Sequence, residues 1–269
     1  MRYALISDIH ANRPALEAVL QDIRSRDADL RAGAHIDAVL HLGDLVGYGP
    51  WPNETVDLLR AEKIPGVAGN YDSTTATDYK HCGCRYEDPR QEELSHISYE
   101  WTRKHVSQET KQFLLSLPFR IDLRPLGGHV GWPTITLVHG NATLNTVYVT
   151  EDRPDSFLEK MAQTVGAHAG DAICFGHTHK PWQRTVGDVL FVNTGSVGRP
   201  KDGDWRAGYV VLDVAASDGK TVVTPEFVRV EYDVDQTARA IRESDLPDDF
   251  AEYLLTGGKP QTATAPHCD

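Results

Sequence analysis

The sequence predicts an α/β fold, and two observations carry that prediction. Short apolar runs alternate with segments of helical periodicity as far as residue 72. The apolar runs also end, one after another, in glycine, aspartate, asparagine or histidine. Strand, helix, strand, helix, strand in that order makes a parallel sheet, with ligands gathered beyond the carboxyl ends of its strands.

The first strand is Tyr3-Ala4-Leu5-Ile6, and Asp8-Ile9-His10 follows it directly. Residues 14–26 read as a helix, because Leu16, Val19, Leu20 and Ile23 recur at helical spacing, Pro14 suits a first turn and Asn12 can serve as N-cap. Residues 36–42 form a second strand ending in Gly43-Asp44, and the turn-rich loop 46–50 leads into a helix over 53–63. A short third strand at 64–68 ends in Gly69-Asn70-Tyr71-Asp72. Residues 73–89 are polar and read as a loop over the site. Residues 91–117 are helical with a break near Ser107, and Pro118 stops them.

Residues 120–123 and 134–138 read as antiparallel strands around Gly127-Gly128, the second ending in His139-Gly140-Asn141. After a helix at 154–165, the strand 172–175 ends in Gly176-His177-Thr178-His179, and another at 189–192 ends in Asn193-Thr194-Gly195-Ser196. Stretches 209–214 and 226–232 are expected to complete a second sheet, with a helix over 234–243. The domain organisation is one domain over 1–255 and a flexible C-terminal tail over 256–269.

Composition narrows the function. With 27 basic against 39 acidic residues and a net charge of −12, nonspecific binding of nucleic acid or anionic membrane is not expected, since such binding needs clustered cations. The N-terminus enters a strand at once and no apolar run is long enough to span a bilayer, which predicts a cytoplasmic protein. Four cysteines are too few for a disulfide framework in 269 residues. Cys174 lies in an apolar run and reads as packing; Cys82 and Cys84 are candidates for a metal or redox pair, though without a second pair they are no zinc signature.

Seven oxygen and imidazole side chains stand at strand ends: Asp8, His10, Asp44, Asn70, His139, His177 and His179. That set exceeds one tetrahedral site and suits two ions sharing a carboxylate, with positions open for water and substrate. Two metals roughly 3.5–4 Å apart hold a bridging hydroxide and stabilise an in-line displacement at phosphorus.

Asp8-x-His10, Gly43-Asp44, Gly69-Asn70, His139-Gly140 and Gly176-His177-x-His179, in this order, resemble the calcineurin-like metallophosphoesterase superfamily over about the first two hundred residues. Asp8-Ile9-His10-Ala11-Asn12 and the run from Gly43 to Pro50 look most like its compact bacterial YfcE and diadenosine-tetraphosphatase-like branch. The resemblance implies two facing mixed β-sheets flanked by helices. It also implies one ion on Asp8, His10 and His179, a second on Asn70, His139 and His177, and Asp44 bridging them. The implied cofactors are two divalent transition-metal ions, and manganese, iron, zinc, nickel and cobalt all accept such ligands.

Two positions depart from the pattern. Tyr71 stands where many members carry the histidine assigned to leaving-group protonation, and Tyr48 where the protein-phosphatase and dinucleotide-tetraphosphatase branches carry a substrate-binding arginine. The expected activity is therefore hydrolysis of phosphodiesters or activated phosphoesters, on a small phosphoester or nucleotide substrate, rather than of alkyl monoesters. The other reading is a catalytically weak metal- or nucleotide-binding regulatory or scaffold member of the same fold. Candidate substrate contacts are Asn12, Tyr71 and Arg199, with Asn193 and Ser196 as second candidates; Asn12 reads equally as an N-cap, Arg199 as a surface arginine in the turn before Pro200, and Asn193 and Ser196 as turn residues.

Overall fold

The computed structural model describes residues 1–28, 35–84, 88–124, 132–217 and 220–259. Strand β1 (Arg2–Ile6) distributes its side chains over two apolar layers, Ala4 and Ile6 in one and Leu5 in the other. This is the period-two alternation that the pleat imposes. In β8 (Ala207–Ser217), Tyr209 and Val211 enter the first layer, and Val210, Leu212 and Val214 the second. In β5 (Ala172–Phe175), Ala172 and Cys174 share that second layer, while Ile173 and Phe175 enter a third.

The second layer is therefore where two sheets face each other, and helices close the outer two. On one side lie α1 (Arg13–Ala28), α2 (Pro52–Ala61), α4 (Pro89–His105), α5 (Gln108–Ser116), α7 (Val234–Arg242) and α8 (Asp249–Leu255); on the other lies α6 (Asp155–Val165). The result is the four-layer sandwich of mixed sheets that the family resemblance implied.

One sheet runs β2 (Ala38–His41), β1, β8, β9 (Lys220–Val230), with β2 parallel to β1 and the last two antiparallel. The other runs β3 (Ile121–Leu123), β4 (Ile135–Leu137), β5, β7 (Val189–Asn193), β6 (Trp182–Val186), with β4, β5 and β7 mutually parallel. Parallel strands deliver their carboxyl ends to one edge, so the segments after β1, β2, β4, β5 and β7 meet there.

Several expectations change. The stretches 209–214 and 226–232 do not belong to a second sheet: β8 pairs with β1, so the long β8–β9 hairpin extends the first. Residues 64–68 form a single bridge, His41 to Gly66, rather than a strand. The Ile64 amide bonds back to Leu59 at the end of α2 and Pro65 has no amide hydrogen, so no ladder can start there. Within 73–89, the first residues continue a short helix, α3 (Asn70–Ala76), whose Asp72 carboxylate accepts the Gly69 amide at 2.9 Å. Residues 85–87 of that stretch lie outside the described residues.

Strand β6 was not anticipated, although Gly187-Asp188, both at positive φ, make the two-residue turn that joins it to β7. Helix α8 was also missed. Residues 256–259, assigned to the tail, dock against the body through the Gly203 amide and the Gly257 carbonyl (2.9 Å); residues 260–269 lie outside the described residues. Among the described residues no helix is long and apolar enough to cross a membrane.

Leu137 is fully buried between the sheets. Leu137→Ala should lower the unfolding free energy by about 2–5 kcal/mol, read from urea denaturation curves.

Candidate metal centre

The site is built by loops that leave the strands in left-handed backbone conformations. Asp8, His10, Asp44, His177 and His179 have φ of 51°, 50°, 53°, 67° and 59°. Each such conformation costs a non-glycine residue on the order of 1–3 kcal/mol and persists only when its surroundings over-determine it. Here they do. The Asp8, His10 and Ala11 amides donate to the Gly43, Asp44 and Leu45 carbonyls at 3.0, 3.0 and 2.9 Å, and the Gly198 amide donates to the Asp8 carbonyl at 3.0 Å.

Glycine is required where these loops touch. A β-carbon on Gly43 would land on the Gly69 amide nitrogen, and one on Gly69 would land on Asp44 Oδ1. The Gly-Asp and Gly-Asn pairs of the sequence are thus two halves of one contact. Asp72 ties the same halves together, accepting Leu45 N and Gly69 N at 2.9 Å each, so it fixes the turn.

The seven side chains singled out in the sequence converge. Asp8, His10 and His179 form one buried group, and Asp44, His139 and His177 a second. Asn70 Oδ1 lies 3.2 Å from His139 Nε2 and so joins the second group. Asp44 stands between them: Oδ1 accepts the Tyr71 amide at 2.9 Å, while Oδ2 is 3.4 Å from His139 Nε2 and 3.7 Å from His10 Nε2.

Hydrogen bonding sets the tautomers. The Nδ1 atoms of His10, His139 and His179 face the carbonyls of Val46, Leu42 and Arg199 at 3.0, 2.7 and 2.6 Å. A carbonyl only accepts, so each Nδ1 carries the proton. In neutral rings Nε2 is then a lone pair, as metal ligation requires. Burial and the facing His179 push His10 down to about 3, and burial and His139 push His177 down to about 3. Burial, then Lys201 and Arg199, hold His179 well below its usual value. Burial also disfavours charge on His139, but Asp44 overrides it and raises His139 to about 9. Burial likewise opposes ionisation of Asp44, and His139 and His10 outweigh it, keeping the carboxyl below the usual range.

A divalent cation fits this arrangement. His10 Nε2 and His179 Nε2 face each other at 3.0 Å with both Nδ1 protons already used, so two lone pairs point at one spot. Asp8 Oδ2 accepts Ser7 Oγ at 2.6 Å and the His177 amide at 3.0 Å, which leaves the buried Oδ1 without a hydrogen bond, 3.2 Å from His179 Nε2. The buried Nε2 of His177 likewise has no hydrogen-bond partner. Buried acceptors left bare are costly unless a cation takes them.

The other candidates have structural partners. Asn12 caps α1 through Ala15 N (3.3 Å) and donates to the Gly198 carbonyl at 2.9 Å. Asn193 donates to the Gly176 carbonyl at 2.7 Å, and Ser196 Oγ to the Asp8 carbonyl at 2.7 Å, each fixing a ligand loop. Tyr71 is buried, with its hydroxyl 3.3 Å from Ser95 Oγ. Arg199 is buried beside His10 in a narrow pocket, its guanidinium carbon 4.0 Å over the Tyr48 ring. No carboxylate among the described residues forms an ion pair with it. His41 stays outside the groups, neutral in the core because burial pushes it down to about 3. Trp101 stacks on His105 at 3.8 Å, on its own helix.

Sequence reasoning missed Tyr148, stacked on His177 at 4.2 Å and 11°. It sits in a stretch with neither periodicity nor motif, so nothing local marks it. It also left open the place of Cys82 and Cys84, which lie against Asn70.

Comparison with known proteins agrees with this geometry. The family model described as the calcineurin-like phosphoesterase superfamily domain matches residues 1–217. The chain is 32% identical over 275 residues to the uncharacterised protein MJ0912 of Methanocaldococcus jannaschii, covering 94% of this chain and 97% of that one. Its structure is similar to a metallophosphoesterase from Sphaerobacter thermophilus, at 29% identity and a TM-score of 0.67, covering 96% of this chain and 99% of that one. It shares its fold with the hypothetical protein PH1004 of Pyrococcus horikoshii OT3, at 22% identity and a TM-score of 0.76, with coverage of 96% and 99%.

Asp8→Ala removes a candidate ligand of one group only. Metal per chain, measured by plasma mass spectrometry after desalting, should fall by one ion while the far-ultraviolet circular dichroism stays unchanged. Chelation should lower the melting temperature of the wild-type chain, because a cation held at a hundredfold excess over its dissociation constant contributes about 2.7 kcal/mol to folding.

Proposed function

The chain belongs to the calcineurin-like phosphoesterase superfamily, and from that premise we propose that it is a metal-dependent phosphoesterase that prefers phosphodiesters and esters with good leaving groups to alkyl monoesters. The observation that carries this reading is a whole ligand set beside a position 71 that offers no acid. Tyr71 is 1% exposed, packed edge-on against His10 and Tyr99, and its hydroxyl is turned to Ser95. A positioned general acid contributes typically about 10²–10⁴-fold to expulsion of a poor leaving group. Without it, an alkoxide departs slowly, whereas an aryl oxide or a phosphate departs unaided.

Asp8, His10 and His179, and Asp44, Asn70, His139 and His177, would hold divalent cations, which when bound would supply a water-derived nucleophile at neutral pH and polarise the phosphoryl oxygens. The protein's own part is placement. Asp44, shared between the groups, sets their spacing. The carbonyls of Val46 and Arg199 hold the neutral imidazoles of His10 and His179 with their lone pairs inward, and the Leu42 carbonyl aims His139 Nε2 toward Asp44. Arg199 brings a planar cation to the pocket beside His10, and its fork of N–H donors matches two oxygens of a phosphate. Packing against Tyr48 and Phe250 leaves the guanidinium few orientations to lose when it binds. The substrate this suits is a small phosphoester or a nucleotide.

With manganese added, kcat/KM for bis(p-nitrophenyl) phosphate should exceed that for p-nitrophenyl phosphate by about tenfold or more; a strong preference for the monoester would overturn the reading. Arg199→Ala should raise KM for the diester about tenfold or more, the equivalent of one charge-assisted hydrogen bond, with a smaller change in kcat. Steady-state kinetics on both substrates checks the two outcomes.

A further inference from the structure

The Cys82-Gly83-Cys84 turn lies directly behind Asn70, a ligand candidate whose usefulness depends on which way its amide points. Only the oxygen end binds a cation. The Asn70 Nδ2 group donates to the Cys82 carbonyl at 3.1 Å and to Cys84 Sγ at 3.2 Å, while Oδ1 faces His139 Nε2 at 3.2 Å. Because a carbonyl can only accept, the Cys82 contact places the nitrogen on that side, and the Cys84 sulfur is the second acceptor that holds it there. Both acceptors come from one three-residue turn, which Gly83 closes at φ 82°.

The two sulfurs are also partners of each other. The Cys82 and Cys84 side chains are hydrogen-bonded, Cys82 Sγ is 3.4 Å from Ser95 Oγ, and Cys84 bonds Tyr148, whose ring covers His177. The pair therefore touches the second ligand group twice, through Asn70 and through the ring over His177. Cys174, by contrast, is buried between the sheets.

We propose that Cys82 and Cys84 act as a dithiol that positions the Asn70 amide toward the metals, and that oxidation to a disulfide releases the amide and weakens the second metal position. This rests on the reading of Asn70 as a metal ligand. The oxidant is a peroxide. One sulfur, as thiolate, attacks a peroxide oxygen; the O–O bond breaks, giving a sulfenic acid and, after protonation, water. The other sulfur then displaces the sulfenic hydroxyl as a second water and forms the S–S bond. Two thiols and one hydrogen peroxide become one disulfide and two waters, with both electrons taken from sulfur. Closing S–S to about 2.05 Å tightens the Cys82-Gly83-Cys84 turn, and both acceptors of the Asn70 amide, the Cys82 carbonyl and Cys84 Sγ, belong to that turn.

The test uses the full chain loaded with manganese. Hydrogen peroxide should convert the peptide bearing Cys82 and Cys84 to a form lighter by two hydrogens. In the same sample the metal retained after desalting should fall by one ion per chain, and dithiothreitol followed by manganese should restore it. Cys82→Ser, which keeps the carbonyl and the Cys84 sulfur but cannot close the bond, should retain its metal through the same treatment. Cys84→Ala should weaken manganese binding at the second position about tenfold or more, the usual size of a lost partner to a ligand, and Cys84→Ser should recover part of that loss. The inference is overturned if the disulfide forms and metal retention is unchanged, if no disulfide forms, or if Cys82→Ser loses metal to peroxide as the wild type does. A fully reduced chain that holds no manganese would instead overturn Asn70 as a ligand, and the inference with it.

Discussion

Asp44 is placed where three parts of the chain have to meet. One carboxylate oxygen is held by the Tyr71 amide, and the other lies between His10 and His139, which belong to different ligand groups. For that to happen, the Gly43–Asp44 turn must press against Gly69 so closely that neither glycine can carry a β-carbon. The His10 and Asp8 amides must also bond the carbonyls of Asp44 and Gly43. A carboxylate buried this deeply is tolerated only among positive charges and donors, so the electrostatics of the site and the packing of its loops are one constraint.

The sandwich meets that constraint by bringing strand ends to a common edge. Because β1 and β2 are parallel in one sheet and β4, β5 and β7 in the other, five carboxyl-terminal loops arrive together. The layer of Leu5, Leu137, Cys174, Val192 and Leu212 holds the sheets face to face, and each group draws on both sheets, Asp8 and His10 with His179, and Asp44 with His139 and His177. The sheets supply rigidity and the loops supply strain: five ligand residues in left-handed conformations are affordable only on a well-packed frame.

The chemistry follows from protonation. Three of the four imidazoles in the two groups are held neutral, mainly by burial, and backbone carbonyls turn the lone pairs of two of these, His10 and His179, inward. The donor set of oxygen and nitrogen, without a thiolate among the ligands, suits borderline divalent ions. The cysteines stand one hydrogen bond further back, against the Asn70 amide.

Much of this could be read along the chain. The alternation of strand and helix, the break of the long helical stretch at Ser107, the N-cap at Asn12 and all seven converging side chains are local properties, carried by the residue at a strand end and the glycine beside it. Other features could not be read that way. That β8 joins β1, that residues 64–68 make only one bridge, that one oxygen of Asp44 serves both groups, that Tyr71 turns to Ser95 and that Cys84 holds Asn70 all depend on residues distant in sequence. The identity of a ligand belongs to one position in the chain. Its orientation is set by hydrogen bonds from other segments, and no periodicity or motif encodes a partner that only the packed fold brings into contact.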